Sequence, residues 1–152
     1  MVYCIYLLHL FITVYYMNEK VTVVITSCNR PELLKLTIES FFKFNTYPVT
    51  KFIIIEDSGL NKINDFCCEI IPKNIDLLLL YNDTNLGQVE SIDKAYDHID
   101  TKYIFHCEED WEFYESGFIE DSIKILNKNS KIINVWLIEY SNNKAVYSGH
   151  TI

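Results

Sequence analysis

Residues 105–114 read FHCEEDWEFY, so three consecutive carboxylates, Glu108, Glu109 and Asp110, close a short apolar run. Like charges confined together raise one another's pKa and repel unless a cation joins them. An all-oxygen set of one or two carboxylates with open positions suits Mg²⁺ or Mn²⁺, ions that complete their shells with water and substrate phosphates. The chain already carries a formal net charge of -8. A bound ion would therefore reverse the repulsion that the bare acids exert on a diphosphate. Two further polar groups follow apolar runs in the same manner: Thr26-Ser27 after VTVVI and Glu56-Asp57 after KFIII.

Those groups have to be held by the elements that precede them. VTVVITS (21–27), KFIIIED (51–57), DLLLLYN (76–82) and KYIFHCE (102–108) are short apolar runs of the kind that form strands buried on both faces. Pro31 and Glu32 open a helix over 31–44, in which Leu34, Ile38, Phe41 and Phe42 keep helical spacing. A second helix is predicted over 62–71, stopped by Pro72. After the polar loop NDTNLG (82–87), Val89, Ile92, Ala95, Tyr96 and Ile99 mark a third, amphipathic helix. Residues 116–127 predict a fourth helix and KIINVWLIEY (131–140) a fifth strand. Strand and helix alternate, so the class is α/β: a Rossmann-like, mostly parallel sheet flanked by helices. Ligands of such sheets bind beyond the carboxyl ends of the strands, at the switch point in strand order. All three polar groups fall at strand ends of that kind.

With 13 basic against 21 acidic side chains, the composition excludes a phosphate-tracking nucleic-acid surface. The five cysteines show no C-x-x-C spacing and read as reduced, buried thiols. His106 and Cys107 are neighbours on a strand and point to opposite faces, which argues against zinc. Residues 1–17 carry no formal charge but fall short of the roughly 20 residues of a spanning helix. We therefore read 1–16 as an apolar extension or a membrane anchor, and 17–152 as one domain. A cytoplasmic location is expected, or a membrane-anchored one if residues 1–17 are a true anchor.

Four stretches, VTVVITSCNRPELLKLTIESFF, IIIEDSG, NLGQVESIDKAY and YIFHCEEDWEF, stand in order over about residues 21–120. Taken together they resemble the nucleotide-sugar half of the GT-A glycosyltransferases, in particular the family 2-like group. The resemblance implies that Thr26 and Ser27 line a nucleotide pocket, with Arg30 closing that loop near the base or diphosphate. It gives Asp57 a hydrogen bond from uracil or another base, and Asn85 and Gly87 the loop beside the diphosphate. Asp110, with Glu108, would hold Mn²⁺ or Mg²⁺, and Glu109 would face the ribose or donor sugar.

The implied function is metal-dependent transfer of a sugar from a nucleoside diphosphate sugar, foremost a UDP-sugar, to an acceptor hydroxyl. The alternative is a shortened, non-catalytic module that binds the nucleotide sugar without the acceptor site and base. The family's base lies well past the acidic motif, and Glu139, the late carboxylate here, does not match its position. Further departures are Cys28, where the family usually has an aromatic residue, the Glu-Glu-Asp triplet in place of an Asp-rich one, and Asp93 in place of a frequent Asn. A phosphorelay receiver domain fits poorly, because its acid pair belongs after the first strand, which here ends in Thr26-Ser27.

Overall fold

The computed structural model describes residues 19–59 and 63–137. The most apolar run, VTVVITS, has every residue buried and forms β1 (Val21–Ser27) at the interior of the sheet. It is followed by α1 (Pro31–Phe44), β2 (Lys51–Glu56), α2 (Asn64–Ile70) and β3 (Asp76–Tyr81), then α3 (Gln88–Tyr96), β4 (Tyr103–Glu108) and α4 (Phe118–Lys128). The strand order is β3-β2-β1-β4 and every pairing is parallel. The chain runs outward from β1 through β2 to β3, then returns to pair β4 with the other side of β1. The switch point thus lies between the carboxyl ends of β1 and β4, where Thr26 is in register with Glu108.

Alternate side chains of each strand feed two apolar layers, as the twofold period of a strand requires. Val21, Val23 and Ile25 of β1, with Phe52 and Ile54 of β2, pack on one face against Leu34, Ile38 and Phe41 of α1. Phe118, Ile119 and Ile123 of α4 and Cys67 of α2 join this layer. On the other face Val24, Ile53 and Ile55 meet Ala95 of α3. Phe41, fully buried, contacts the rings of Phe42, Phe52, Phe105, Phe113 and Phe118 at centroid distances of 5.2–5.9 Å. This aromatic knot clamps α1, β2, β4 and the segment leading into α4 together, and so fixes the loops that leave β1 and β4.

The predicted fifth strand over 131–140 departs from the structure. Residues 131–137 contain isolated bridge positions at Ile132 and Trp136 and no strand, while 138–140 lie outside the described residues. Ile133 and Trp136 are largely exposed. Apolar alternation makes a strand only where a neighbour takes up its hydrogen bonds in a continuous ladder, and 131–137 show bridges only at Ile132 and Trp136. The segment 1–17 lies outside the described residues, among which no helix is long and apolar enough to cross a membrane.

Candidate functional site

Two buried carboxylates hold the loop between β1 and α1. Glu56, at the end of β2, accepts hydrogen bonds from the Ser27 hydroxyl at 2.7 Å and the Asn29 backbone N–H at 2.7 Å. Asn29 takes a left-handed conformation, φ 54°, which asparagine tolerates and which turns the chain into α1. From the opposite side Glu109 Oε1 accepts the Cys28 N–H at 3.3 Å and the Arg30 Nε–H at 2.8 Å. The Glu109 N–H in turn donates to the Thr26 carbonyl at 3.1 Å, extending the β1–β4 pairing past the strand ends.

Arg30 spreads across the acidic motif. A second guanidinium nitrogen lies 2.7 Å from Glu109 Oε1, and a third lies 3.1 Å from Asp110 Oδ2. The Glu109 hydrogen bond and charge, outweighing partial burial and aided by Asp110, push the Arg30 pKa above its ordinary value. Glu109 is buried, whereas the Asp110 side chain is 41% exposed. Glu108 accepts a hydrogen bond from the Gln88 side-chain amide at 2.7 Å. The three adjacent carboxylates therefore meet three different surroundings, which relieves the crowding the sequence displays. Thr37 of α1 braces this turn from beneath, its hydroxyl lying 2.6 Å from the Glu109 carbonyl and 2.8 Å from the Trp111 carbonyl.

Asp57 organises the third loop. Its Oδ1 accepts the Asn82 side-chain amide at 2.7 Å and the Leu86 N–H at 2.8 Å, and its Oδ2 accepts the Gly87 N–H at 2.8 Å. Burial alone would raise its pKa, but the bonds from Leu86, Asn82, Gly87 and Ser91 outweigh burial and hold it below the ordinary value. A carboxylate offers about four lone-pair sites, and the bonds from Asn82, Leu86 and Gly87 occupy three of them. Lys94 donates to Asn82 Oδ1 at 2.7 Å and to the Tyr81 carbonyl at 3.2 Å, continuing the network into α3. Gly59, φ +76°, lets the turn after β2 approach the same loop: a Cβ there would stand 2.7 Å from the Asp83 carbonyl oxygen.

These three loops enclose a cleft of about 240 Å³ at the switch point. Thr26, Ser27, Arg30, Asp57, Asn85, Gly87, Glu108 and Glu109 all line it. Asp110 is not among the lining residues and is joined to the cleft wall through Arg30. Cys28 also contributes to the wall, its sulfur 3.2 Å from the Asn85 side-chain amide. Gln88 and Ser91 complete the lining. Glu56, Thr37, Asn82 and Ser91 had no assigned role in the sequence. Glu56 stood in one of the strand-end polar groups, and Thr37 left a trace as a polar residue between Leu34, Ile38 and Phe41 on the apolar face of α1. Gln88 and Glu108 also border a larger groove of about 640 Å³ along β4, walled by Tyr96, His106, Trp111 and Trp136.

The sequence profile of glycosyl transferase family 2 matches residues 22–152. The chain belongs to that family. No curated protein matches its sequence. Among solved structures, the family 2 chain is similar to the mannosyltransferase PcManGT from Pyrobaculum calidifontis, solved with GDP-Man and Mn²⁺. The two share 12% identity and a TM-score of 0.66 over 83% of this chain and 41% of that one. It is also similar to S. aureus TarS 1-349 in complex with UDP, at 15% identity and a TM-score of 0.61 over 84% of this chain and 38% of that one. The complex of TarS 1-349 with UDP-GlcNAc gives a TM-score of 0.58 at 15% identity, over 84% of this chain and 36% of that one. At such identities the likeness is one of fold, and this chain spans about two fifths of the length of those proteins.

Oxygen ligands for a hard divalent ion exist in this family 2 site, although among the described residues no three His, Cys, Asp or Glu side chains cluster as a ready-made metal cage. Mg²⁺ is commonly held by one or two carboxylates together with substrate phosphates, so a cage is not required. Asp110 fits that pattern: its side chain is 41% exposed, it pairs with Arg30 of the cleft wall, and it already attracts a cationic group. Glu109 does not, because three nitrogens of Arg30 and Cys28 crowd one of its oxygens.

Proposed function

We propose that this chain binds a nucleoside diphosphate sugar, foremost a UDP-sugar, in the cleft between β1 and β4 and presents it for transfer to an acceptor hydroxyl. The observation that carries this reading is the convergence of the loops after β1, β2 and β3 with the acids after β4 on one cleft at the switch point. Thr26 and Ser27 line the nucleotide side, and Asn85 and Gly87 shape the loop beside the diphosphate. Asp57 accepts a hydrogen bond from the base and also fixes that loop through its bonds from Leu86, Gly87 and Asn82. Arg30 faces the diphosphate, and Glu109 holds Arg30 in place. Asp110 and Glu108 would hold Mn²⁺ or Mg²⁺. When bound, such an ion offsets the charge that builds on a departing diphosphate. Relatives of this fold were solved with GDP-Man and Mn²⁺, with UDP and with UDP-GlcNAc, which is consistent with that ligand class.

Calorimetric titration with UDP-, GDP- and other nucleotide sugars, with and without Mn²⁺, tests the proposal, alongside assays of sugar transfer and donor hydrolysis. Binding that strengthens with Mn²⁺ and is lost in Asp110→Asn is expected. No binding of any nucleotide sugar under either condition would sink it. Binding without transfer or hydrolysis would assign the chain to the second reading, a donor-binding module.

A further inference from the structure

Arg30 engages the acidic motif through two contacts of unequal character. Toward Glu109 it presents two nitrogens to one oxygen, at 2.8 and 2.7 Å, and that carboxylate is buried. Removing a cation from a buried carboxylate leaves an uncompensated charge, so this contact is an anchor. Toward Asp110 it presents one nitrogen at 3.1 Å, with both side chains close to half exposed. Exposed pairs of that kind contribute little and exchange readily with solvent ions. One guanidinium therefore combines a fixed hold on Glu109 with a releasable hold on Asp110, at the rim of a cleft whose wall it also forms.

We propose that Arg30 is a built-in counter-cation for Asp110, which it neutralises in the ion-free protein and yields to a divalent ion. The Glu109 anchor then keeps the released guanidinium at the cleft, where it meets the diphosphate. This rests on the reading of Asp110 as a metal ligand and of the cleft as a diphosphate site. It adds a specific order to that reading. Without the ion, Arg30 offsets part of the acidic charge of the motif, and ion and diphosphate reinforce each other, because the ion frees the donor that the diphosphate needs. Arg30 therefore opposes the ion alone and favours the anion, whereas a residue that merely supported the loop would weaken both ligands together.

The test is Mn²⁺ binding without nucleotide, read from the electron paramagnetic resonance signal of free Mn²⁺, for the full chain and for Arg30→Gln, Arg30→Lys and Asp110→Asn. UDP titrations at saturating Mn²⁺ and thermal melts accompany it. Arg30→Gln should bind Mn²⁺ about threefold to tenfold more tightly than the unaltered chain, because a competing surface cation is gone. It should bind UDP on the order of tenfold more weakly, having lost a charge-assisted hydrogen bond. Arg30→Lys keeps a positive charge on Glu109 but cannot span both carboxylates, so it supplies a folded variant if Arg30→Gln melts early, and should also tighten Mn²⁺. If Asp110→Asn abolishes Mn²⁺ binding while both Arg30 variants bind Mn²⁺ no more tightly than the unaltered chain, the counter-cation role is overturned and the metal reading survives. If the unaltered chain binds no Mn²⁺ either alone or with saturating UDP, or Asp110→Asn binds it as well, the metal reading falls and this inference falls with it.

Discussion

At the scale of single residues, the site is built by carboxylates that serve the protein's own backbone. Glu56 and Glu109 both accept N–H groups from the loop after β1, and Asp57 accepts them from the 82–87 loop, so these acids fix two segments that have no regular secondary structure. Asp57→Asn tests how much depends on this. An amide has one acceptor oxygen, and its NH₂ would face N–H donors from Leu86, Gly87 or Asn82. The variant should lose about 1–3 kcal/mol of stability in urea denaturation, the usual cost of stranding a buried polar group. It should also bind UDP more weakly through the displaced 82–87 loop. Asp57 has a depressed pKa in the folded chain, so its contribution is complete above the unfolded value of about 3.9 and disappears as pH falls through the folded value. The acid limb of the stability profile below about pH 4 should accordingly flatten in Asp57→Asn.

Among the elements, α1 does more than cover the sheet. Its Thr37 hydroxyl supports the turn that carries the acids, across 72 residues of sequence. Thr37→Val keeps the shape but leaves two carbonyls without this donor, and should cost about 1–3 kcal/mol by thermal or urea denaturation. No change in stability would show that the turn holds itself. The four strands and α1 were legible in the sequence because fully buried runs and helical spacing are local signals, as VTVVITS and Leu34-Ile38-Phe41 illustrate. The cleft was legible in outline: its acids, Thr26, Arg30 and the 85–87 loop stand at strand ends. The partnerships were not. Arg30 with Glu109, or Asn82 with Asp57, join residues 79 and 25 positions apart, and nothing in either neighbourhood marks the other. The segment 131–137 misled for the converse reason, since its alternation is local but a strand is a property of pairs.

For the molecule as a whole, acid stability should fall in two stages. His106 lies against α3, its Nδ1 2.8 Å from the Tyr96 hydroxyl. Burial lowers its pKa, against a smaller raising effect of Glu108. The folded chain therefore resists protonation there, so stability is full above the unfolded value of about 6.5 and declines as pH falls through the folded one. Urea midpoints measured from pH 8 to 3 should show this shallow decline first and the Asp57 limb afterwards, and His106→Gln should remove the first stage alone. The hold of Asp57 on the amides of Leu86 and Gly87 has a kinetic corollary. Those two protons sit in a stretch without helix or strand, yet a buried acid just past the end of β2 captures them. In deuterium oxide they should outlast other loop protons and be surrendered chiefly when the sheet itself opens, so that 82–87 behaves as part of the same cooperative unit as the core.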